Sequence, residues 1–133
     1  MQTKIVDPEK VSLDEMIEQG ADFHGHLGSF LVLGIRMGRL ALKKLNSPGY
    51  ESIEALVKTG TTPSLSCLAD GIQISTGCTL GKGNIATEPL SIPEADFTSD
   101  GKSLTFRVRD DIMDVIETWK DSYATLEDIA HRA

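Results

Sequence analysis

Two of the three histidines in this sequence, His24 and His26, stand on either side of a glycine in the segment FHGHLG, residues 23–28. Imidazole nitrogens bind transition metals and exchange protons near neutral pH. Residues two apart diverge by about 200° around a helix, whereas an extended segment lets their side chains converge. Gly25 and Gly28 favour the non-helical alternative. The pair predicts either a metal site or a hydrogen-bonding arrangement at the start of a helix.

Both cysteines, Cys67 and Cys78, lie in the segment SLSCLADGIQISTGCTLGKGN. Cys67 falls in the first turn of a predicted helix, where unpaired main-chain N–H groups are expected to lower the pKa of a thiol. In one straight helix the two sulfurs would be about 16 Å apart. Both can therefore bind one metal ion only if the chain turns back after Gly77. The alternatives are two small buried apolar side chains or a single disulfide.

Asp70 and Gln73 are three residues apart on the same predicted helix. Side chains at this spacing share a helix face, so they either orient a ligand or face solvent. The loop GCTLGKGN is one residue short of a phosphate-binding P-loop and lacks its final hydroxyl residue. Its main chain beside Lys82 either holds a carboxylate or another anion, or forms a tight turn with an exposed lysine.

Length and composition exclude several classes of protein. The 133 residues fit one domain, and 13 basic against 20 acidic residues give a net charge of −7, which argues against nucleic-acid binding. No apolar run approaches the roughly 20 residues that cross a bilayer, and the N-terminus has no apolar signal core. We expect a single domain over residues 1–133 that is soluble, cytoplasmic and independent of membranes, with both cysteines reduced or bound to metal.

Helix signals precede and follow the histidine pair. Ser12 and Glu15 form a predicted capping box, and Gly20 is expected to end that first helix. The second helix follows a spacing of three and four residues, with a further basic face expected to be solvated. Gly34 and Gly38 are expected to mark close packing against another element or another chain. The apolar and small positions are Leu27, Leu31, Gly34, Gly38, Ala41 and Leu45, and the basic ones are Arg36, Arg39 and Lys43.

The remaining elements predict an α+β fold: helix, helix, strand, helix, three strands and then C-terminal helices, with the helices packed on one mixed sheet. Strands are expected over residues 52–59, 84–90, 94–98 and 103–109, with a hairpin turn at Asp100-Gly101. A helix is expected over residues 65–75, ending at Gly77, with apolar anchors at Leu68, Ile72 and Ile74. The last helices contain Ile112, Val115, Ile116 and Trp119, then the capping pair Thr125 and Asp128; His131 is expected to be exposed.

The segments FHGHLGSFLVLGIRMG and CLADGIQISTGCTLGKGNI together resemble the E-subunit family of formylmethanofuran dehydrogenase, and the resemblance extends over about residues 12–120. It implies an α+β fold with a mixed sheet, a frequent homodimer and a metal site built from histidine and cysteine. Carried over to matching positions, the metal ligands are His24, His26, Cys67 and Cys78. The residues implied to line the same cavity are Asp70, Gln73, Lys82 and Asn84.

The sequence departs from the family pattern at two points. Many members carry a cysteine where this chain has Gly28, and many add a cysteine-rich C-terminal zinc ribbon, whereas no cysteine follows Cys78 here. The resemblance is therefore to the core domain.

Three functions remain open. The first is a metal-binding accessory or ligand-binding domain, associated with a molybdenum or tungsten formylmethanofuran dehydrogenase-like complex. The second is a small metal-dependent enzyme whose metal carries a water molecule, and the third is a purely structural metal site. Zinc is favoured by the mixed imidazole and thiolate donors, with another divalent transition metal as the alternative.

Overall fold

The computed structural model describes residues 3–122, with side chains to residue 116. The helices are α1 (Leu13–His24), α2 (Ser29–Leu45), α3 (Cys67–Thr76) and α4 (Asp110–Ser122). The strands are β1 (Glu54–Val57), β2 (Ile85–Thr87), β3 (Glu94–Ser99) and β4 (Lys102–Arg107), and short 3₁₀ turns occupy Tyr50–Ser52 and Leu80–Lys82. The capping pair Thr125 and Asp128 and His131 lie outside the described residues, as does the side chain of Trp119.

The four strands form one mixed sheet in the order β2-β1-β3-β4, which confirms the predicted α+β class. β1 is parallel to β2 and antiparallel to β3. The β3–β4 hairpin turns at Asp100-Gly101 as predicted, and both of these residues have positive φ. The inner face packs against α2 and α3 in one core. That core includes Val57, Ala95 and Phe97 from the sheet, Leu33 and Met37 from α2, and Leu68 and Ile72 from α3.

Helices α2 and α3 meet through glycines. A Cβ atom added to Gly34 would overlap the carbonyl oxygen of Leu68, and one added to Gly71 would overlap the carbonyl oxygen of Leu31. Gly38 likewise has no room for a side chain beside Ser75. The predicted close packing at Gly34 and Gly38 is confirmed, and its partner is α3 of the same chain. These glycines therefore give no support to a homodimer.

Helix α1 begins as predicted and ends later than predicted. Ser12 and Glu15 form the capping box, but the helix continues through Gly20 to His24 and stops at Gly25, whose φ is +103°. A Cβ atom at Gly20 would lie 2.7 Å from Cδ1 of Ile35 on α2. Gly20 is thus a packing position within the helix, and the prediction that it ends α1 was wrong.

The basic face of α2 is only partly solvated. Arg39 is half-buried, and its guanidinium donates to the carbonyl oxygens of Val11 at 2.7 Å and Pro8 at 3.4 Å. Burial, and then the neighbouring charge of Arg36, lower the pKa of Arg39. The prediction of a solvated side chain was wrong for Arg39, because this residue fastens the N-terminal segment to α2.

Within residues 3–122, no helix combines the length and the apolar character needed to cross a membrane.

Candidate metal-binding site

The central contact of the candidate site joins His24 to Asp70. Nδ1 of His24 lies 2.6 Å from Oδ2 of Asp70, and the two side chains are 11% and 34% exposed. His24 is the last residue of α1 and Asp70 lies in the first turn of α3. The contact arises because the C-terminal end of α1 meets the N-terminal turn of α3.

The second nitrogen of His24 has a different environment. Nε2 is buried and has no hydrogen-bond partner among the described residues. Since Nδ1 faces a carboxylate, the favoured tautomer carries its proton on Nδ1 and presents a lone pair on Nε2. A buried nitrogen without a partner is costly, and a metal ion is one group that satisfies it.

Gln73 and Asp70 form the next link of this chain of contacts. Nε2 of Gln73 donates to Oδ1 of Asp70 at 3.2 Å, while Oδ2 faces His24. Both carboxylate oxygens are thus engaged, which fixes the plane of the carboxylate and with it the orientation of the His24 ring. Asp70 therefore points toward His24 rather than facing solvent alone.

The two histidine rings converge, as the glycine spacing predicts. Their centroids are 4.6 Å apart and their planes are tilted by 48°. Gly25 adopts a left-handed conformation, and Gly28, the residue before α2, is extended with φ of −140°. His26 is exposed, whereas His24 is largely buried. The ring held in place by another side chain is therefore that of His24.

Cys67 is the first residue of α3, one turn before Asp70. Burial, and then the negative charge of Asp70, raise the pKa of its thiol above the ordinary value. The expectation that the helix N-terminus would lower this pKa was wrong, because desolvation and the nearby carboxylate outweigh the main-chain hydrogen bond that lowers it. The thiol is in its neutral form in the metal-free protein at neutral pH.

Cys78 lies beyond the opposite end of α3. It is fully buried, and Sγ donates a weak hydrogen bond to the carbonyl oxygen of Ile53 at 3.5 Å. Burial is the main cause that raises the pKa of this thiol. Among the side chains that the structure describes, no three of His, Cys, Asp or Glu are grouped so as to hold one metal ion. The four-ligand set is therefore not gathered here, and its metal role stays a prediction.

The glycine-rich loop after α3 is held by its own side chains. Asn84 accepts from the main-chain N–H of Thr79 at 3.0 Å and donates to the carbonyl oxygens of Tyr50 at 2.6 Å and Ile53 at 3.1 Å. Lys82 is exposed and donates through Nζ to the hydroxyl of Thr79 at 3.1 Å. Asn84 thus fixes loop geometry, a role that the resemblance did not indicate.

Gln73 and Lys82 share a groove of about 260 Å³ with the exposed ring of Phe23. Of the four residues implied to line one cavity, these two line this groove. Asp70 is directed to His24 and Asn84 to main-chain groups, so the four act in different local arrangements.

The pairing of His24 with Asp70 was missed by sequence reasoning. The resemblance placed Asp70 in the same cavity as His24, and the helix spacing paired Asp70 with Gln73, but neither predicted a direct contact between Asp70 and His24. The available signal was the presence of both histidines and Asp70 at helix ends, but a separation of 46 residues left the contact undetermined.

The fold and the His24–Asp70 arrangement define a small α+β domain with a candidate metal-binding histidine. A sequence profile of the family described as "FmdE, Molybdenum formylmethanofuran dehydrogenase operon" matches residues 23–132. The chain therefore belongs to the FmdE family, as its two motifs predicted.

Two further similarities accompany the family match. A crystal structure of a tungsten formylmethanofuran dehydrogenase FmdE-like protein from Syntrophus aciditrophicus matches with a TM-score of 0.73 and 23% identity. The match covers 98% of this chain and 71% of that one, and it shows a shared fold. A probable S-adenosyl-L-methionine-binding protein of Archaeoglobus fulgidus is 38% identical over an alignment of 80 residues, which covers 55% of this chain. The match spans about 20% of the length of that curated relative.

Proposed function

We propose that this chain is a metal-binding accessory domain of a molybdenum or tungsten formylmethanofuran dehydrogenase-like system, with His24 as the anchoring ligand. The proposed metal binding rests on the different environments of the two ring nitrogens of His24. Nδ1 faces Asp70, and the buried Nε2 is without a hydrogen-bond partner among the described residues. Metal-binding histidines commonly donate their other ring N–H to a carboxylate, which fixes the tautomer and raises basicity.

The types of donor that the resemblance implies fit zinc, although the described residues do not bring three such donors together. The His26 ring lies beside the His24 ring with their planes tilted by 48°, and Cys67 begins the helix that carries Asp70. Imidazole and thiolate donors together suit zinc, which binds both types. Cys78, the fourth residue implied by the resemblance, has the weakest structural support, because its thiol is buried against Ile53.

The residues of the chain have separate roles in this proposal. Asp70 retains the proton on Nδ1 of His24, and Gln73 holds Asp70 in place through its amide. A bound zinc ion with an open coordination position supplies Lewis-acid chemistry, whereas four protein ligands make a closed structural site. Counting the protein ligands by X-ray absorption of the zinc-loaded protein separates the accessory or enzymatic alternatives from a purely structural site.

The test of metal binding uses protein purified without chelator. Elemental analysis is expected to find close to one zinc or similar ion per chain, and His24→Ala is expected to remove most of it. His131→Ala, which changes the third histidine of the sequence, serves as the matched control and is expected to retain the metal. Equal metal content in the His24→Ala variant and the wild-type protein would reject His24 as the anchor.

The accessory role rests on the family description alone, so it needs its own test. Sedimentation of this chain with a purified molybdenum formylmethanofuran dehydrogenase is expected to show a shared boundary. Independent sedimentation of the two proteins at tens of micromolar would reject this part and leave the metal proposal intact. The identity of the metal as zinc, the cytoplasmic location and the homodimer stay predictions. Light scattering tests the homodimer, for which the expected mass in solution is twice the 14.4 kDa of one chain.

A further inference from the structure

The groove that Phe23, Gln73 and Lys82 line has a volume of about 260 Å³ and lies beside the candidate metal site, because Gln73 also bonds to Asp70. Pockets for drug-sized ligands measure about 300–1,000 Å³, so this groove fits a smaller occupant. The other described residues that line it are Thr3, Lys4, Tyr50, Ile74, Gly77 and Thr79. The N-terminal segment, α1, α3 and the loop after α3 all contribute to its walls.

Tyr50 gives the groove a fixed wall. Its hydroxyl donates to the carbonyl oxygen of Lys4, which ties the N-terminal segment in place. A Cβ atom at Gly77 would lie 2.9 Å from Cδ1 of Tyr50, so the ring packs directly on the end of α3. Tyr50 also has a φ of +58°, which is uncommon for a large side chain. Residues held in such conformations cluster at functional sites.

The charged residues in the described lining of this groove are both lysines, in a chain of net charge −7. The exposed ammonium group of Lys82 donates to the hydroxyl of Thr79 at 3.1 Å, and this partner is neutral. Lys4 also borders a neighbouring groove that contains Glu15 and Asp22, so Lys82 is the cation that an occupant can use. The positive charge of Lys82 favours an anionic ligand.

The rest of the lining combines aromatic surface with hydrogen-bonding groups. Phe23 is 57% exposed, which is high for a large apolar side chain, and Tyr50 adds a second aromatic ring. Gln73 uses one amide hydrogen on Asp70. Its amide has a second hydrogen and an acceptor oxygen, which a ligand can use. A few polar groups within aromatic and apolar walls are typical of small-molecule sites.

We propose that this groove binds a small aromatic carboxylate, with the carboxylate at Lys82 and the aromatic ring against Phe23. Three observations select this class of ligand. The volume of the groove limits its size, the ammonium group of Lys82 sets its charge, and the exposed ring of Phe23 offers an aromatic contact. The binding requires no metal ion, so it goes beyond the proposed metal site and is tested without metal.

The test uses the chelator-treated full chain and benzoate, followed by heteronuclear NMR. Benzoate is expected to shift the side-chain amide signal of Gln73 and the main-chain amide signals of Phe23 and Lys82, and to saturate with a millimolar Kd. Benzamide keeps the ring without the charge, and acetate keeps the charge without the ring. Each is expected to bind at least tenfold more weakly than benzoate. Equal binding of benzamide, or tighter binding of inorganic phosphate, would overturn the carboxylate, and equal binding of acetate would overturn the aromatic ligand.

Two variants, each with a matched control, place the ligand in the groove. Lys82→Met is expected to weaken benzoate binding at least tenfold, whereas Lys102→Met changes an exposed lysine of the β3–β4 hairpin and is expected to bind as the wild-type chain does. Phe23→Ala is also expected to weaken binding at least tenfold. Its control is Leu90→Ala, which truncates another apolar side chain that is 53% exposed. Circular dichroism confirms that the four variants are folded.

Wild-type affinity in Lys82→Met would reject Lys82 as the cation, and wild-type affinity in Phe23→Ala would reject the ring contact. Either result would overturn the proposal, as would the absence of any shift in the Gln73 signal at about 10 mM benzoate.

Discussion

His24 and Asp70 meet at 2.6 Å across a separation of 46 residues, and this contact joins the end of α1 to the beginning of α3. Neither residue lies in a long loop. Both sit on helices that pack against α2, so the pair is positioned by the same contacts that build the domain. The orientation of His24 is therefore set before any ligand arrives, which is the arrangement that lowers the cost of binding.

Asp70→Asn is expected to lower zinc affinity by about 10–100-fold while leaving the protein folded, because the amide cannot hold the His24 tautomer as the carboxylate does. Competition with a chromophoric chelator measures the affinity. Asp22→Asn changes an exposed carboxylate on α1 and is the matched control. Identical affinities for the two variants would contradict a positioning role for Asp70.

The two cysteines are expected to differ on substitution. Cys67→Ala should reduce zinc content, whereas Cys78→Ala should retain zinc and lose about 1 kcal/mol of stability through a small buried cavity. The reason is that Cys78 is fully buried beside Ile53, while Cys67 shares the first turn of α3 with Asp70. Elemental analysis and urea unfolding report the two quantities, and loss of zinc only in Cys78→Ala would reverse the assignment.

Gly71→Ala is expected to destabilise the domain by about 1–3 kcal/mol or more, since the new Cβ overlaps the main chain of Leu31 and neither helix can yield locally. Urea denaturation measures the change. Gly81→Ala is the matched control, because a Cβ there meets nothing within 4 Å and the residue does not have positive φ. A Gly71→Ala variant as stable as Gly81→Ala would show that α2 and α3 separate more readily than their packing indicates.

Acid should weaken the contacts of Asp96 on the sheet. The hydroxyl of Thr105 at 2.6 Å, and then the ammonium group of Lys58 at 3.1 Å, hold the pKa of Asp96 below its ordinary value. In the window just below pH ~4 the unfolded chain binds more protons than the folded one, so stability falls as pH falls. Asp96→Asn is expected to flatten this part of the stability curve, as measured by urea unfolding from pH 2.5 to 5. A slope as steep as that of the wild-type chain would contradict the assignment.

Local rules predicted much of the fold because local contacts decide it. The Ser12 capping box, the Asp100-Gly101 hairpin and the stop at Gly77 all depend on neighbouring residues, and all are present. Gly20 does not end its helix as a local glycine signal predicts, because its role is to leave space for Ile35 of another helix. The close approach at Gly34 was predictable from sequence, whereas its partner, α3, was not.

The candidate site was predictable in residue types and not in geometry. The convergence of His24 and His26 followed from the flanking glycines. The partner of His24 and the burial of Cys78 depend on how three helices and the residue before β1 pack together, and no sequence spacing predicts that packing. The raised pKa of Cys67 has the same origin, because burial is a tertiary property.

The glycine contact between α2 and α3 also determines how this domain opens. With main chain against main chain at Gly34 and Gly71, neither helix can leave while the other stays packed. Amide hydrogens in the middle of both helices should therefore exchange with deuterium at one shared free energy, as a single cooperative unit. Asp70 belongs to this unit, whereas His24 lies on the neighbouring α1. The slowly exchanging part of the protein therefore contains Asp70, and Asp70 in turn holds His24.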